Sequence, residues 1–438
     1  MEPIDQQAAE EKRSGKIEES KGNTGISRRD VLKLAGAGGL GLLLGSMGID
    51  GLLKGTPLGS NFAEAAKDTV PFYGEHQAGI ATPAQNFICF ASFDLSTTSL
   101  GDVQQLFREW TGASAMMCSG RPVGDETGNS AHPPVDTGEA VGLHTSNTTI
   151  TFGVGPSLFD ARLGLAAKRP AELADLPAFG GDNLRSEWCG GDIGVQVCAD
   201  DLQVAFHAVR NLTRIARGTA VLRWTQEGFQ RTSTAAATVS DTPRNLLGFK
   251  DGTANLDTKD GALMQEFVWT QPADGPAWLA GGSYMAVRRI RMRIEVWDRS
   301  TLGDQQATFG RYRDSGAPLG GNKEMDALPL EAKGENGQPV IPMNAHVRLA
   351  HSEGKEKMLR RSFSYSSGID RQTGQLDAGL LFVSYQRSLV KQFIPIQQRL
   401  ARQDKLNEYI SHVGSAVFAC FPGVREGGGY IGQALFEG

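Results

Sequence analysis

The sequence predicts an α+β protein made of two β-α-β-β-α-β units of the ferredoxin-like kind, each with an antiparallel sheet. Three observations carry this prediction. Short strand-like apolar runs are interleaved with segments whose apolar residues step by three and four. The stretches DIGVQVCADDLQVAFHAVRNL (192–212) and GLLFVSYQRSLVKQFIPIQQRL (379–400) share one pattern: buried strand, polar break, amphipathic helix. A small, polar, aperiodic stretch, RTSTAAATVSDTPRN (231–245), lies between them. The expected organisation is a disordered N-terminus with a signal peptide over 1–66, an N-terminal domain over 67–238 and a C-terminal domain over 239–438.

Each element has its own signal. QNFICFASFDL (85–95) reads as a strand, and LGDVQQLFREW as a helix with Val103, Leu106, Phe107 and Trp110 on one face. NTTITFGVG and GDIGVQVCADD are strands, after which Asp200 or Asp201 can cap a helix carrying Leu202, Ala205, Val209, Leu212 and Ala216. AVLRWTQEGFQ closes the first set as a strand. In the second half GSYMAVRRIRMRIEVWD is a strand running into a helix, and MLRRSFSYSSG and GLLFVSYQRSL are strands. A last helix places Leu389, Phe393, Ile396 and Leu400 together, with a kink expected at Pro395.

Composition narrows the function. The chain has 438 residues, 40% of them hydrophobic and 21% charged, enough to bury a core in two domains. A net charge of −5 gives no basic surface for nucleic acid. The five cysteines (89, 118, 189, 198 and 420) show neither CxxC nor zinc spacing and read as structural. SRRDVLK (Ser27–Lys33) precedes an uncharged stretch, Leu34–Ile49, with six glycines in sixteen residues, too short and mild to span a bilayer. With Ala63-x-Ala65 as a cleavage site, this is the pattern of a Tat signal; an uncleaved anchor is the alternative. The Tat route carries folded proteins, which hints at a cofactor inserted before export.

NLLGFKDGTANL (245–256) holds the most informative motif, Gly248-x-x-Asp251-Gly252. Locally, Asp-Gly is a common turn dipeptide, so a plain surface turn competes with a chemical role for Asp251. None of the seven histidines falls in a paired-ligand motif, so an all-protein zinc site is not expected. His346, in NAHVRLAH, is a lone imidazole in apolar surroundings. It suits either a half-buried histidine bonded to a carbonyl or the single imidazole that a haem needs.

The order GFKDGTANL, NAHVRLAH, MLRRSFSYSSG and GLLFVSYQ over about residues 70–438 resembles the dye-decolourising peroxidase family. It looks most like that family's exported deferrochelatase/peroxidase branch. The resemblance implies two ferredoxin-like domains with one haem b in the C-terminal half. It implies an acid over the iron at Asp251 and a proximal ligand at His346. The distal arginine would be Arg360, with Arg361 as the adjacent alternative that strand alternation sends to the other face. Gly252, Thr253 and Asn255 would line the cofactor, Gly248 and Gly252 letting backbone pass close to the porphyrin.

In such a site a carboxylate can carry a proton between the two oxygens of hydrogen peroxide. An arginine can stabilise negative charge on the departing oxygen. The implied activity is a peroxidase oxidising bulky aromatic donors. The alternatives are an iron-acquisition component that releases iron from haem or oxidises ferrous iron, and a secreted haem carrier without turnover. A carrier has no need of the Asp251–Arg360 pair. The resemblance further implies a homodimer or larger assembly, and an iron-uptake permease system as a possible partner.

Overall fold

The computed structural model describes residues 68–124, 128–231, 242–351 and 354–438. The signal-peptide reading lies outside the described residues. The first half runs β1 (Phe87–Leu95), α1 (Leu100–Cys118), β2 (Thr149–Val154), β3 (Ile193–Ala199), α2 (Leu202–Ile215) and β4 (Ala220–Phe229). Its strands lie side by side in the order β2-β3-β1-β4. The second half holds α3 (Gly261–Phe267), β5 (Ser283–Met292), α4 (Leu302–Phe309), α5 (His346–His351), β6 (Leu359–Arg360), β7 (Phe363–Ile369), β8 (Leu376–Gln386), α6 (Ile394–Gln403) and β9 (Ile410–Cys420). There β5 lies between β9 and β8, and β7 pairs the far edge of β8.

Every pairing is antiparallel, and the two sets join twice. Gly153 and Val154 of β2 pair with Cys420 and Ala419 of β9, and Phe229 of β4 pairs with Ser364 of β7. Eight of the strands thus form one barrel-like ring, with the short β6 paired to β8 beside β7. Each junction carries a glycine where a side chain would not fit. A Cβ on Gly153 would lie 2.9 Å from Phe418 Cβ, and one on Gly228 2.9 Å from both Ile88 Cγ2 and Phe363 Cβ.

The ring interior packs Phe90, Trp224, Met285, Val287, Leu381, Val383, Tyr385 and Phe418. It also holds Arg289, whose guanidinium sits between the rings of Trp188 (4.3 Å) and Tyr365 (4.2 Å) and bonds Asp377 at 2.8 Å. Outside, α1 covers the first-half strands with Val103, Leu106, Phe107 and Trp110, all buried as the spacing predicts. Ser99 caps α1 and Asp201 caps α2 through side-chain acceptors.

Three expectations need correction. The inward face of α2 is Val204, Ala205, Ala208 and Leu212, whereas Leu202 is 38% exposed. The rotation follows from a loop that covers a second side of α2: Thr137 and Glu139 bond Asn211 and His207 there, burying both polar residues. The strand expected over MLRRSFSYSSG is broken into β6 and β7 at Arg361–Ser362. The irregularity expected at Pro395 appears one turn earlier, as a π turn over Leu389–Phe393 in which Ile394 N–H reaches back to Leu389 O. Proline lacks a donor and crowds the preceding turn, which widens it.

All five cysteines are free, and burial pushes the Cys118 thiol up to about 12, with Cys89, Cys198 and Cys420 also raised. They pack as small hydrophobes. Among the described residues no helix is long and apolar enough to cross a membrane.

Candidate active site

The stretch 245–256 is a turn with an apolar anchor. Asn245 Oδ1 accepts from Leu247 N (3.0 Å) and Phe249 N (3.3 Å), and Asn245 N donates to Phe249 O (2.9 Å). Gly248 supplies the left-handed residue that this closure needs, at φ +83°. A Cβ there would meet Arg313 Nε at 2.9 Å, so Gly248 serves the turn and its packing on Arg313. Leu247 and Phe249 sink into a cluster with Trp297 and Phe309, the Phe249 and Phe309 rings stacking at 4.2 Å. Asp251 follows, tied through its N–H to Pro243 O at 2.8 Å. Gly252, at φ +137°, then turns the chain back.

Arg360 reaches this turn from β6. Its Nη1 lies 3.2 Å from Asp251 Oδ1, and its Nη2 donates to Thr253 O at 2.9 Å. Asn255 grips the Arg360 backbone at two points, accepting from its N–H at 2.9 Å and donating to its carbonyl at 2.7 Å. The Asn255 amide thus holds the Arg360 backbone beside the turn. Arg361 points the other way, buried, with its guanidinium on the Thr82 and Pro83 carbonyls and the Gln85 side chain. Of the two arginines, Arg360 is the one beside Asp251.

His346 opens α5. Its Nδ1 lies 2.6 Å from Asp404 Oδ2, and Asp404 is almost fully buried, its other oxygen accepting from Leu406 N at 2.9 Å. Lys405 N donates to Asn344 O at 3.0 Å and ties the two loops together. A Cβ on Gly310, which ends α4 at φ +78°, would meet Val347 Cγ1 at 2.6 Å, so α4 packs closely on the helix that His346 begins. Burial pulls the His346 imidazole down, but the Asp404 carboxylate more than offsets this and its pKa ends above the usual histidine value. The charge of Asp251 also raises the His346 pKa and that of Arg360 lowers it.

The donor set fits a haem. Asp404 fixes Nδ1 of His346 and leaves Nε2 without a protein partner among the described residues, the arrangement of a single axial imidazole. Arg311 adds a cation for an anionic edge. Its Nη1 is used on the carbonyls of Gly316 (2.8 Å) and Glu324 (2.9 Å), while Nε and Nη2 have no partner among the described residues. Burial lowers the Arg311 pKa, the Glu324 carboxylate offsets part of this, and the charge of Arg360 lowers it again. Sequence reasoning missed Asp404 and Arg311. Asp404 sits in RQDKLNEY, which offers only the pattern of a capping acid, and nothing local links it to a histidine 58 residues away.

The fold is an α+β ring of antiparallel strands with a carboxylate-held imidazole at the start of α5, and comparison with known proteins gives the family. Residues 77–230 match the family model "Dyp-type peroxidase, N-terminal" and residues 242–425 the model "Dyp-type peroxidase, C-terminal". The chain belongs to the Dyp-type peroxidase family. It is 41% identical over 418 residues to the deferrochelatase of Escherichia coli K12, covering 94% of this chain and 97% of that one. The DyP-type peroxidase of Streptomyces coelicolor superposes with a TM-score of 0.79 at 38% identity, covering 85% of this chain and 99% of that chain. Ferric DtpA of Streptomyces lividans gives the same values.

Proposed function

We propose that this protein is an exported haem b peroxidase that uses hydrogen peroxide to oxidise bulky aromatic donors. The observation that carries the reading is the convergence of a carboxylate-held imidazole, His346, with the paired Asp251 and Arg360. Haem is the cofactor, held by His346, with Gly252 and Thr253 at the turn beside it and Arg311 available to a propionate. When bound, haem supplies the two electrons that reduce peroxide to water and takes them back from the donor.

The chain's own residues handle the protons and charge. Asp251 accepts a proton from one peroxide oxygen and returns it to the other, which leaves as water. Arg360 faces the charge that develops on the leaving oxygen and orients Asp251 through the 3.2 Å contact. Asp404 holds the Nδ1 proton of His346 and makes the imidazole a stronger donor.

A second reading is favoured by the 41% identity to deferrochelatases: release of iron from haem, or oxidation of ferrous iron, with an iron-uptake permease system as partner. Tat export, two duplicated ferredoxin-like domains meeting near 238 and a homodimer or larger assembly belong to the same proposal. With β6 and β7 counted as one broken strand, the orders β2-β3-β1-β4 and β7-β8-β5-β9 follow the same sequence rank and support the duplication.

One experiment separates the readings. The purified protein is followed by absorption before and after peroxide, then incubated with excess haem and its pigments extracted. Turnover of an aromatic donor with intact haem supports the first reading, and a haem spectrum unmoved by peroxide refutes it. Metal-free tetrapyrrole supports iron release, and its absence from the extract rejects iron release.

A further inference from the structure

The turn that carries Asp251 is clamped from outside by an acid in the loop between α4 and α5. The Glu324 carboxylate receives Lys250 Nζ at 2.6 Å, Thr253 Oγ1 at 2.8 Å and the Thr242 hydroxyl. Lys250 immediately precedes Asp251 and Thr253 stands two residues after it, so one carboxylate grips both flanks. Lys250 and Glu324 are only 15% and 14% exposed, which shields the pair from solvent screening. The loop that presents Glu324 is itself fixed. Arg311 Nη1 bonds both the Gly316 and Glu324 carbonyls, and Gly316 passes so close that a Cβ would meet Lys250 Cδ at 2.7 Å.

We propose that Glu324 is the positioning residue for Asp251, fixing the aim of its carboxylate by holding the residues on either side of it. Asp251 has few anchors of its own: one backbone bond to Pro243 and the contact with Arg360. Without the clamp the turn keeps its apolar lead-in, the Pro243 bond and the Arg360 contacts, but loses the side-chain ties of Lys250 and Thr253 on either side of Asp251. Burial pushes the Glu324 pKa up, yet the bonds from Lys250, Thr242 and Thr253 bring it below the usual glutamate value. The clamp therefore keeps its charge into the acid range where carboxylates ordinarily titrate. The proposal rests on the reading of Asp251 as proton carrier.

The test uses the haem-loaded protein with Glu324→Ala, Glu324→Gln, Asp251→Asn and the Asp251→Asn/Glu324→Ala pair. Glu324→Ala is expected to keep its Soret band and haem content but to slow the reaction with peroxide roughly ten- to a hundred-fold, as a misaimed group does. Glu324→Gln recovers part of the rate, because its amide oxygen still accepts from Thr253. In the Asp251→Asn background Glu324→Ala adds no further slowing. A crystal structure of Glu324→Ala shows the Asp251–Arg360 contact opened beyond its present 3.2 Å.

A wild-type rate in haem-loaded Glu324→Ala, or full additivity with Asp251→Asn, overturns the clamp. A wild-type rate in Asp251→Asn alone overturns the proton-carrier reading instead. The crystal structure then judges the clamp by itself, and unchanged Asp251–Arg360 geometry rejects it. Should Glu324→Ala fail to fold with haem, Thr253→Val removes a single donor and must show a smaller slowing that is likewise absent in Asp251→Asn. No slowing, or an additive one, overturns the proposal there.

Discussion

Asp251 and Arg360 touch each other, yet their proposed tasks differ, and substitution separates them. Asp251→Asn keeps shape and hydrogen-bonding capacity but cannot carry a proton; losing a general acid–base group costs roughly 100- to 10,000-fold. It is expected to slow the first peroxide-dependent change in absorption. Arg360→Leu removes a charge-stabilising donor, worth roughly 100- to 1000-fold. Both keep haem, whereas His346→Ala loses it and His351→Ala does not. Stopped-flow absorption from about pH 3 to about pH 8, spanning the usual carboxylate range, reads all four variants. Wild-type speed in Asp251→Asn at every pH would return the Asp-Gly pair to the status of an ordinary turn. The reverse comparison, from sequence to residue, is uneven. Asp251, His346 and Arg360 are legible through family resemblance, since locally an Asp-Gly pair suits an ordinary turn and a lone histidine a carbonyl bond. Asp404 and Glu324 are not, because their roles come from partners brought close only by folding.

Strands and long helices were legible because apolar period survives in the finished structure: all four expected inward residues of α1 are buried. The short helices α3, α4 and α5 and the loop 311–345 had no period to read. The face of α2 was misjudged because a loop from elsewhere buries His207 and Asn211. One element offers a test by pH. His412 on β9 is buried, and burial, followed by the charge of Arg288, lowers its pKa to about 3. The folded chain therefore keeps His412 neutral where the unfolded chain, at an ordinary value of about 6.5, takes a proton. Between those values the unfolded state binds more protons, so stability falls as pH drops from about 6.5 towards about 3, by about 1.4 kcal/mol per pH unit from this group. His412→Gln is expected to flatten the stability–pH curve by one proton across that window. Urea unfolding at a series of pH values measures the slope, and an unchanged slope would refute the assignment.

At the scale of the whole molecule, the twin arginine at Arg28–Arg29 precedes the described residues, which begin at Asp68. Replacing both with Lys is expected to leave precursor in the cytoplasm; fractionation of cells with normal export of that variant would reject the Tat reading. The closing of the ring was not legible, since its two junctions amount to two residue pairs and one. Those junctions nonetheless decide how the halves can exist. Within each half the end strands would present bare N–H and C=O groups, a template for pairing with any other chain. In the ring the ends of β4 and β2 are each met by a strand of the other half, and the glycines at 153 and 228 let the backbones approach there. Each half thus serves as the other's guard against self-association. Residues 68–231 or 242–438 produced alone should aggregate, while the two produced together should yield soluble, reassembled protein. A soluble, cooperatively unfolding single half would show that the ring is not what keeps these sheets apart.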